Sequence, residues 1–211
     1  VFEDGLSSLA GDLSDGIGGG DTSVSSSIAT LVTDGADEPS TFAWCDLSTL
    51  NAAGYTSKTD LISWTVEIGN VLTATADVGG SDERDVMTVT LAENGDYTVD
   101  LLDQWDHTGG GDGEILTVDL STAVDATDKD GDTTTLSDGS TPSTFDIDIE
   151  NDVPEASGGD ETAAVFEDGL SSLAGDLSDG IGGGDTSVSS SIATLVTDGA
   201  DEPSTFAWCD L

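Results

Sequence analysis

Apolar and polar residues alternate with a period of two through most of the chain, the spacing of strands that bury one face. The pattern predicts strands at Val24–Val32, Thr41–Leu47, Leu61–Ile68, Val71–Ala76, Val86–Ala92, Tyr97–Leu102, Ile115–Leu120 and Thr144–Ile149. The clearest pair is Met87-Val89-Leu91 and Tyr97-Val99-Leu101, joined by Asn94-Gly95, a dipeptide that favours a tight hairpin through positive φ angles. Glycine runs at 18–20, 79–80 and 109–111 read as loops. A helical period is confined to about one turn near Leu6–Leu13. Short strands separated by Gly and Asp turns predict an all-β fold, an antiparallel sandwich. Trp44, Trp64 and Trp105 belong in its core rather than on a sugar-stacking platform, because Ile62 and Val66 alternate around Trp64. The sequence offers no flat, regularly spaced threonine or aromatic face.

The same pattern then starts again. Val165–Leu211 repeats Val1–Leu47 without a difference, at an offset of 164 residues. That offset is the size of a domain, longer than a solenoid period. Residues 1–164 therefore read as one complete repeat, a sandwich over about 1–150 followed by an acidic linker over about 150–164. Residues 165–211 read as a truncated copy of the next repeat. The chain is expected to be a stretch of a longer tandem array, with neighbouring repeats of the same chain as its partners. Copies in series give reach or avidity, and they do little for turnover, so an enzyme is not expected. Residues 165–211 are too few to bury a core of their own. They can be disordered, pair with another molecule, or take the place of Val1–Leu47 on the same body.

Charge changes the picture most. The chain holds 44 acidic residues against three basic ones, Lys58, Arg84 and Lys129, for a net charge of −41. Nucleic acid and anionic membranes need cationic patches and are excluded. No run of 18 apolar residues is present, so direct membrane insertion is not expected either. A small-molecule substrate is not expected. A patterned core carrying so many unbalanced carboxylates calls for counter-cations, and hard divalent ions such as Ca²⁺ are the natural supply. Cysteine occurs at 45 and 209, the same position in the two copies, which reads as a free buried thiol rather than a cross-link.

The acids fall into groups. Glu3-Asp4 recurs as Glu167-Asp168, and Asp34 and Asp37 lie in Asp34-Gly35-Ala36-Asp37-Glu38-Pro39. Asp128, Asp130 and Asp132 alternate around Gly131, so a sharp turn can aim their oxygens at one centre, as a calcium ion with six to eight oxygen ligands requires. The glutamate that would close an EF-hand loop is missing. Asp146 and Asp148 alternate with Phe145, Ile147 and Ile149 and are expected to face solvent, while Glu150-Asn151-Asp152 leave the strand. His107, the one histidine, is assigned to a loop beside an ion held by Asp103 and Asp106. A zinc site would want more His or Cys, and no Ser/His/Asp set can be built on it. The 128–132 loop is expected at the end opposite the exit at Glu150, together with the entry residues Glu3-Asp4. A composite calcium joint follows: Glu150, Asn151 and Asp152 of one repeat, the Glu-Asp entry of the next (Glu167, Asp168), and that repeat's own 128–132-type loop.

The arrangement is analogous to cadherin linkers, which also pair an acidic exit with an acidic loop. A closer likeness is carried by Val1-Phe2-Glu3-Asp4-Gly5, Asp34–Pro39, Leu101-Leu102-Asp103-Gln104-Trp105-Asp106-His107, Leu116–Leu120, Ala126–Asp132 and Asp152-Val153-Pro154. These resemble the extender repeats of type I-secreted RTX-type giant bacterial adhesins, in order, over essentially the whole repeat. The resemblance implies an Ig-like sandwich, calcium at the linkers, type I secretion to the bacterial cell surface, and a structural role in cell adhesion or biofilm. Trp44-Cys45 and the Gly-rich Asp15–Asp21 loop depart from it. The competing class is a carbohydrate- or surface-binding module acting by avidity.

Overall fold

The computed structural model describes residues 1–6, 21–33, 38–109, 113–138, 142–153, 155–165, 187–197 and 205–209. It divides into two compact units, one built on Val1–Val153 and the other on residues beyond 153. In the first unit the strands are β1 (Ser23–Ser27), β2 (Thr41–Trp44), β3 (Thr56–Ser57), β4 (Asp60–Glu67), β5 (Val71–Ala76), β6 (Arg84–Leu91), β7 (Asp96–Leu101), β8 (Ile115–Asp119), β9 (Val124–Thr127), β10 (Thr133–Thr135) and β11 (Asp146–Glu150). A short helix, α1 (Ser48–Ala52), follows β2. The second unit carries β12 (Glu155–Ala156) paired antiparallel with β13 (Val196–Thr197).

The chain is all-β and sandwich-like. A six-stranded antiparallel sheet runs β1-β7-β6-β5-β4-β3, and the smaller sheets β10-β9-β2 and β11-β8 supply the opposing layer. Ile62, Trp64, Leu72, Ala74, Met87, Val89, Leu91, Val99 and Leu101 of the large sheet share one core with Phe42, Trp44, Val118, Val124, Ala126, Phe145, Ile147 and Ile149. The three tryptophans are all buried, as the alternation around Trp64 predicts. Trp64 and Trp105 pack at 5.9 Å, and Tyr97 and Phe145 at 4.7 Å. Offset aromatic pairs of this kind add to the area they bury.

The Asn94-Gly95 hairpin forms, with different turn geometry from that expected. The Gly95 N–H donates to Ala92 O at 2.9 Å. Only Gly95 has positive φ, at +88°. This is a type I turn followed by a left-handed glycine, not a turn with two positive angles. Two positive angles instead occur at Lys58 (φ 50°) and Thr59 (φ 71°), between β3 and β4. Tertiary bonds hold them there: Thr59 N–H donates to Asp106 at 2.8 Å and Lys58 Nζ to Asp103 at 3.1 Å.

Two observations set the ends of the first unit. Leu136 N–H donates to Val124 O, Ser137 N–H to Ser121 O, and Leu120 N–H to Phe145 O, so β10 and β11 run in series against β9 and β8. The 128–132 hairpin tip and the exit at Glu150 therefore lie at opposite ends, as the sequence predicts. The entry does not follow the prediction. Phe2 forms a parallel bridge with Glu150, the Val1 amino group donates to Asp148 O at 3.0 Å, and Glu150 N–H donates to Val1 O at 3.1 Å. The entry thus runs alongside β11 toward its end, and Glu3 arrives at the exit end of its own repeat, away from the 128–132 loop.

Candidate functional site

The β9–β10 hairpin builds the tightest acidic cluster among the described residues. Asp128 Oδ1 accepts N–H bonds from Gly131 at 3.1 Å and Asp132 at 2.9 Å. Its own N–H donates to Asp132 O at 3.0 Å, closing the loop. Gly131 supplies the positive φ, +99°, that the turn requires. One carboxylate oxygen from each of Asp128, Asp130 and Asp132 then lies within 4.8 Å of the others. A hydrogen bond shared with Asp130 holds the Asp128 carboxyl below the ordinary range, and the same bond with the Asp128 charge beside it pushes Asp130 above it. Two carboxyl groups this close behave as a pair that holds one proton or one cation. Lys129, between them in sequence, is exposed and makes no ion pair among the described residues. All-oxygen donors around a glycine turn fit a hard cation such as Ca²⁺.

The exit end gathers a second group. Glu3 is 1% exposed. Its carboxylate accepts the Trp105 N–H in a short bond, and its other oxygen lies 3.5 Å from His107 Nε2. The His107 side chain is 2% exposed, and neither ring nitrogen has a hydrogen-bond partner. A buried carboxylate needs polar partners, and Glu3 has the Trp105 N–H and the His107 ring beside it. Asn151 and Asp152 are buried beside the same strand end, where Asn151 N–H donates to Glu114 O at 2.8 Å. The structure therefore brings Glu3, His107, Glu150, Asn151 and Asp152 to one end of the sandwich. Asp146 and Asp148 point outward from β11, as predicted.

Asp103 and Asp106 are both engaged by protein donors. Asp103 is bound by Arg84 Nε at 2.7 Å and Lys58 Nζ at 2.9 Å, and Asp106 accepts the Thr59 N–H. Arg84 also reaches Asp60 at 3.0 Å and Asp82 at 2.9 Å, and donates to Ser57 O at 2.7 Å. Two of the three basic residues thus converge on one acidic cluster. Asp103 has cations from the protein itself, and the expectation that it ligates calcium is not carried forward. Arg84 is the residue that sequence reasoning missed. Asp34, Asp37, Glu167, Asp168 and the side chain of Asp4 lie outside the described residues.

One surface was not anticipated. The outer face of the large sheet carries hydroxyls in register. One row runs Ser23, Thr88 and Thr65, interrupted by Asp100 and by the buried Thr73, and the next runs Ser25, Thr98, Thr90. Ser25 and Thr98 hydroxyls are 2.8 Å apart. Strand alternation alone puts these groups on one face, and β-branched threonine suits strands anyway.

Cys45 is half-buried and free, with Sγ 3.7 Å from Thr122 O. Burial, with Asp125 and Asp46 nearby, pushes its thiol up to about 11. Among the described residues no helix is long and apolar enough to cross a membrane. Compared with known proteins, the chain matches no family model, no curated protein and no solved structure.

Proposed function

We propose that this chain is an extender module of a large secreted bacterial surface adhesin, in which calcium stiffens the junctions between successive repeats. The reading rests on the Asp128–Asp130–Asp132 cluster, where three carboxylates converge with no protein cation among the described residues. The exact tandem copy favours reach over turnover. The junction differs from the one read off the sequence. Glu3 lies with Glu150, Asn151 and Asp152 at the exit end of its own repeat, away from the 128–132 hairpin. The entry acids therefore belong with the exit of their own repeat.

Calcium would be held by Asp128, Asp130 and Asp132, and it would supply the positive charge that Lys129, exposed and without an ion pair among the described residues, does not. Extracellular modules hold calcium at roughly 10⁻⁴–10⁻³ M, and ligand at about 100 times its dissociation constant stabilises by roughly 2.7 kcal/mol per site. That is a sizeable share of the stability of a typical domain. Chelation should therefore lower the melting temperature and shorten a multi-repeat chain in solution scattering. An unchanged melt and an unchanged scattering profile in excess chelator would remove the reading.

A second reading, a surface- or carbohydrate-binding module, is favoured by the hydroxyl rows of the large sheet. Binding of the chain to a polysaccharide, lost when Thr88 and Thr90 are replaced by Lys, would decide for it.

A further inference from the structure

We infer that, given the tandem reading above, the linker between repeats docks as a short strand on the following repeat, at Leu31–Thr33 beside the 128–132 hairpin. The chain holds two copies of that segment. The second copy carries the linker. Glu155 pairs antiparallel with Thr197, and Ala156 with Val196. Ser157 N–H donates to Leu195 O at 2.9 Å, and Ser157 Oγ donates to Thr194 O at 2.9 Å. Gly158 then turns the chain with φ +71°. A Cβ on Gly159 would come within 3.1 Å of the Leu195 side chain, so the linker lies close against that residue.

Thr194, Leu195, Val196 and Thr197 are the counterparts of Thr30, Leu31, Val32 and Thr33. In the first copy, among the described residues, no main-chain hydrogen bond reaches Val32 or Thr33. The backbone there is nonetheless already set. A 3-10 turn precedes it in both copies, closed by Leu31 N–H to Ile28 O and by Leu195 N–H to Ile192 O, each at 2.9 Å. The next residue is extended in both, with Val32 at φ −114°, ψ 138° and Val196 at φ −129°, ψ 136°. The docking strand thus has one shape with and without the linker, and little ordering of it opposes binding. Leu31 O accepts Ser143 Oγ at 2.7 Å, and a carbonyl has a second lone pair for the linker N–H. Val32 and Thr33 line an open groove of about 220 Å³ with Ala126, Asp128, Asp132 and Thr133. A linker added there as a strand lies beside the acidic hairpin, where the proposed calcium sits.

A chain of two complete repeats, its native cysteines replaced by serine, provides the test. Ala156→Cys in the linker is combined with Val196→Cys in the second repeat. The neighbouring Ser157 and Leu195 are the hydrogen-bonded pair, so 156 and 196 face each other as a non-hydrogen-bonded pair, close enough for a disulfide. The chain is equilibrated in a glutathione buffer, capped with iodoacetamide and weighed intact. The ratio of cross-linked to capped chain should be about tenfold or more above that of the control pair Ala156→Cys with Thr194→Cys, which is out of register. It should be so in calcium and in chelator alike, because main-chain bonds carry no net charge. Equal ratios for the two pairs would overturn the docking. Gly158→Val, which cannot hold the positive φ without strain, should lower the ratio several-fold and leave the melting temperature unchanged; an unchanged ratio would contradict the docked strand. A cross-link at the control level with a calcium-dependent melt removes the docking alone. A tenfold cross-link with a melt indifferent to calcium removes the calcium stiffening and leaves the docking in place.

Discussion

The Arg84 cluster and the β9–β10 hairpin are built from the same residue type and solve the same problem in opposite ways. At Arg84, three aspartates from three parts of the chain surround one guanidinium, which is only 15% exposed. At the hairpin, three aspartates within a five-residue stretch converge with no protein cation among the described residues. Arginine offers several donors in a fixed planar fork, so it can hold three carboxylates at once. The hairpin oxygens have no such fork among the described residues. The difference teaches that a net charge of −41 is not spread evenly. It is cancelled by protein cations in the Arg84 cluster and, among the described residues, left without them at the hairpin. Glu3 is likewise buried against protein groups, the Trp105 N–H and the His107 ring.

If that contrast is right, the largest loss should come from the buried pair. His107→Leu removes the polar ring packed against the buried Glu3 carboxylate and should cost about 3 kcal/mol in urea unfolding, the upper scale for leaving a buried polar group short of a partner. A loss below about 0.5 kcal/mol would mean that Glu3 does not depend on the ring. Arg84→Met comes next, at about 2 kcal/mol, reduced because Asp82 is largely exposed. Its cost should be the same with and without calcium; a cost that vanishes in calcium would make the Arg84 cluster a metal site after all. Asp130→Asn with Asp132→Asn should act in the opposite way. In chelator the variant should melt at or slightly above the parent, since like charges are removed, whereas in millimolar calcium it should lose part of the calcium-dependent rise. A variant that melts lower in chelator would show the hairpin acids to be structural in themselves.

The smallest effect is expected at Cys45, where an anion would form beside Asp125 and Asp46. Its folded value is raised to about 11 from 9.0. The unfolded chain therefore loses the proton first as pH rises, and stability present below pH about 9 should decline through pH about 11. Replacing both cysteines by serine should flatten that part of the profile, and an identical alkaline decline in the variant would contradict the assignment.

Much of the sandwich was legible because one face of each long strand is buried. β5 and β7 match their alternating runs closely, and the tryptophans lie where the alternation puts them. The short strands were not legible. Val124–Thr127 and Thr133–Thr135 flank the acidic loop, and their polar residues read as part of it. The Lys58-Thr59 turn has no Gly or Asn to signal positive φ, because tertiary bonds to Asp103 and Asp106 impose it. Of the acids, the Asp128–Asp132 group was legible because its spacing is local. The Arg84 cluster joins residues 60, 82 and 103, which no local spacing can reveal. The entry misled for a related reason: Glu3-Asp4 looks like a solvated turn, and only the parallel bridge of Phe2 to Glu150 turns Glu3 inward.

Calcium-specific anomalous scattering from crystals grown at millimolar calcium tests the central claim most directly. The account predicts an ion at the β9–β10 hairpin, with oxygens of Asp128, Asp130 and Asp132 at about 2.3–2.6 Å, and none at Arg84. A hairpin without an anomalous peak, its aspartates turned away from one another into solvent, would contradict it.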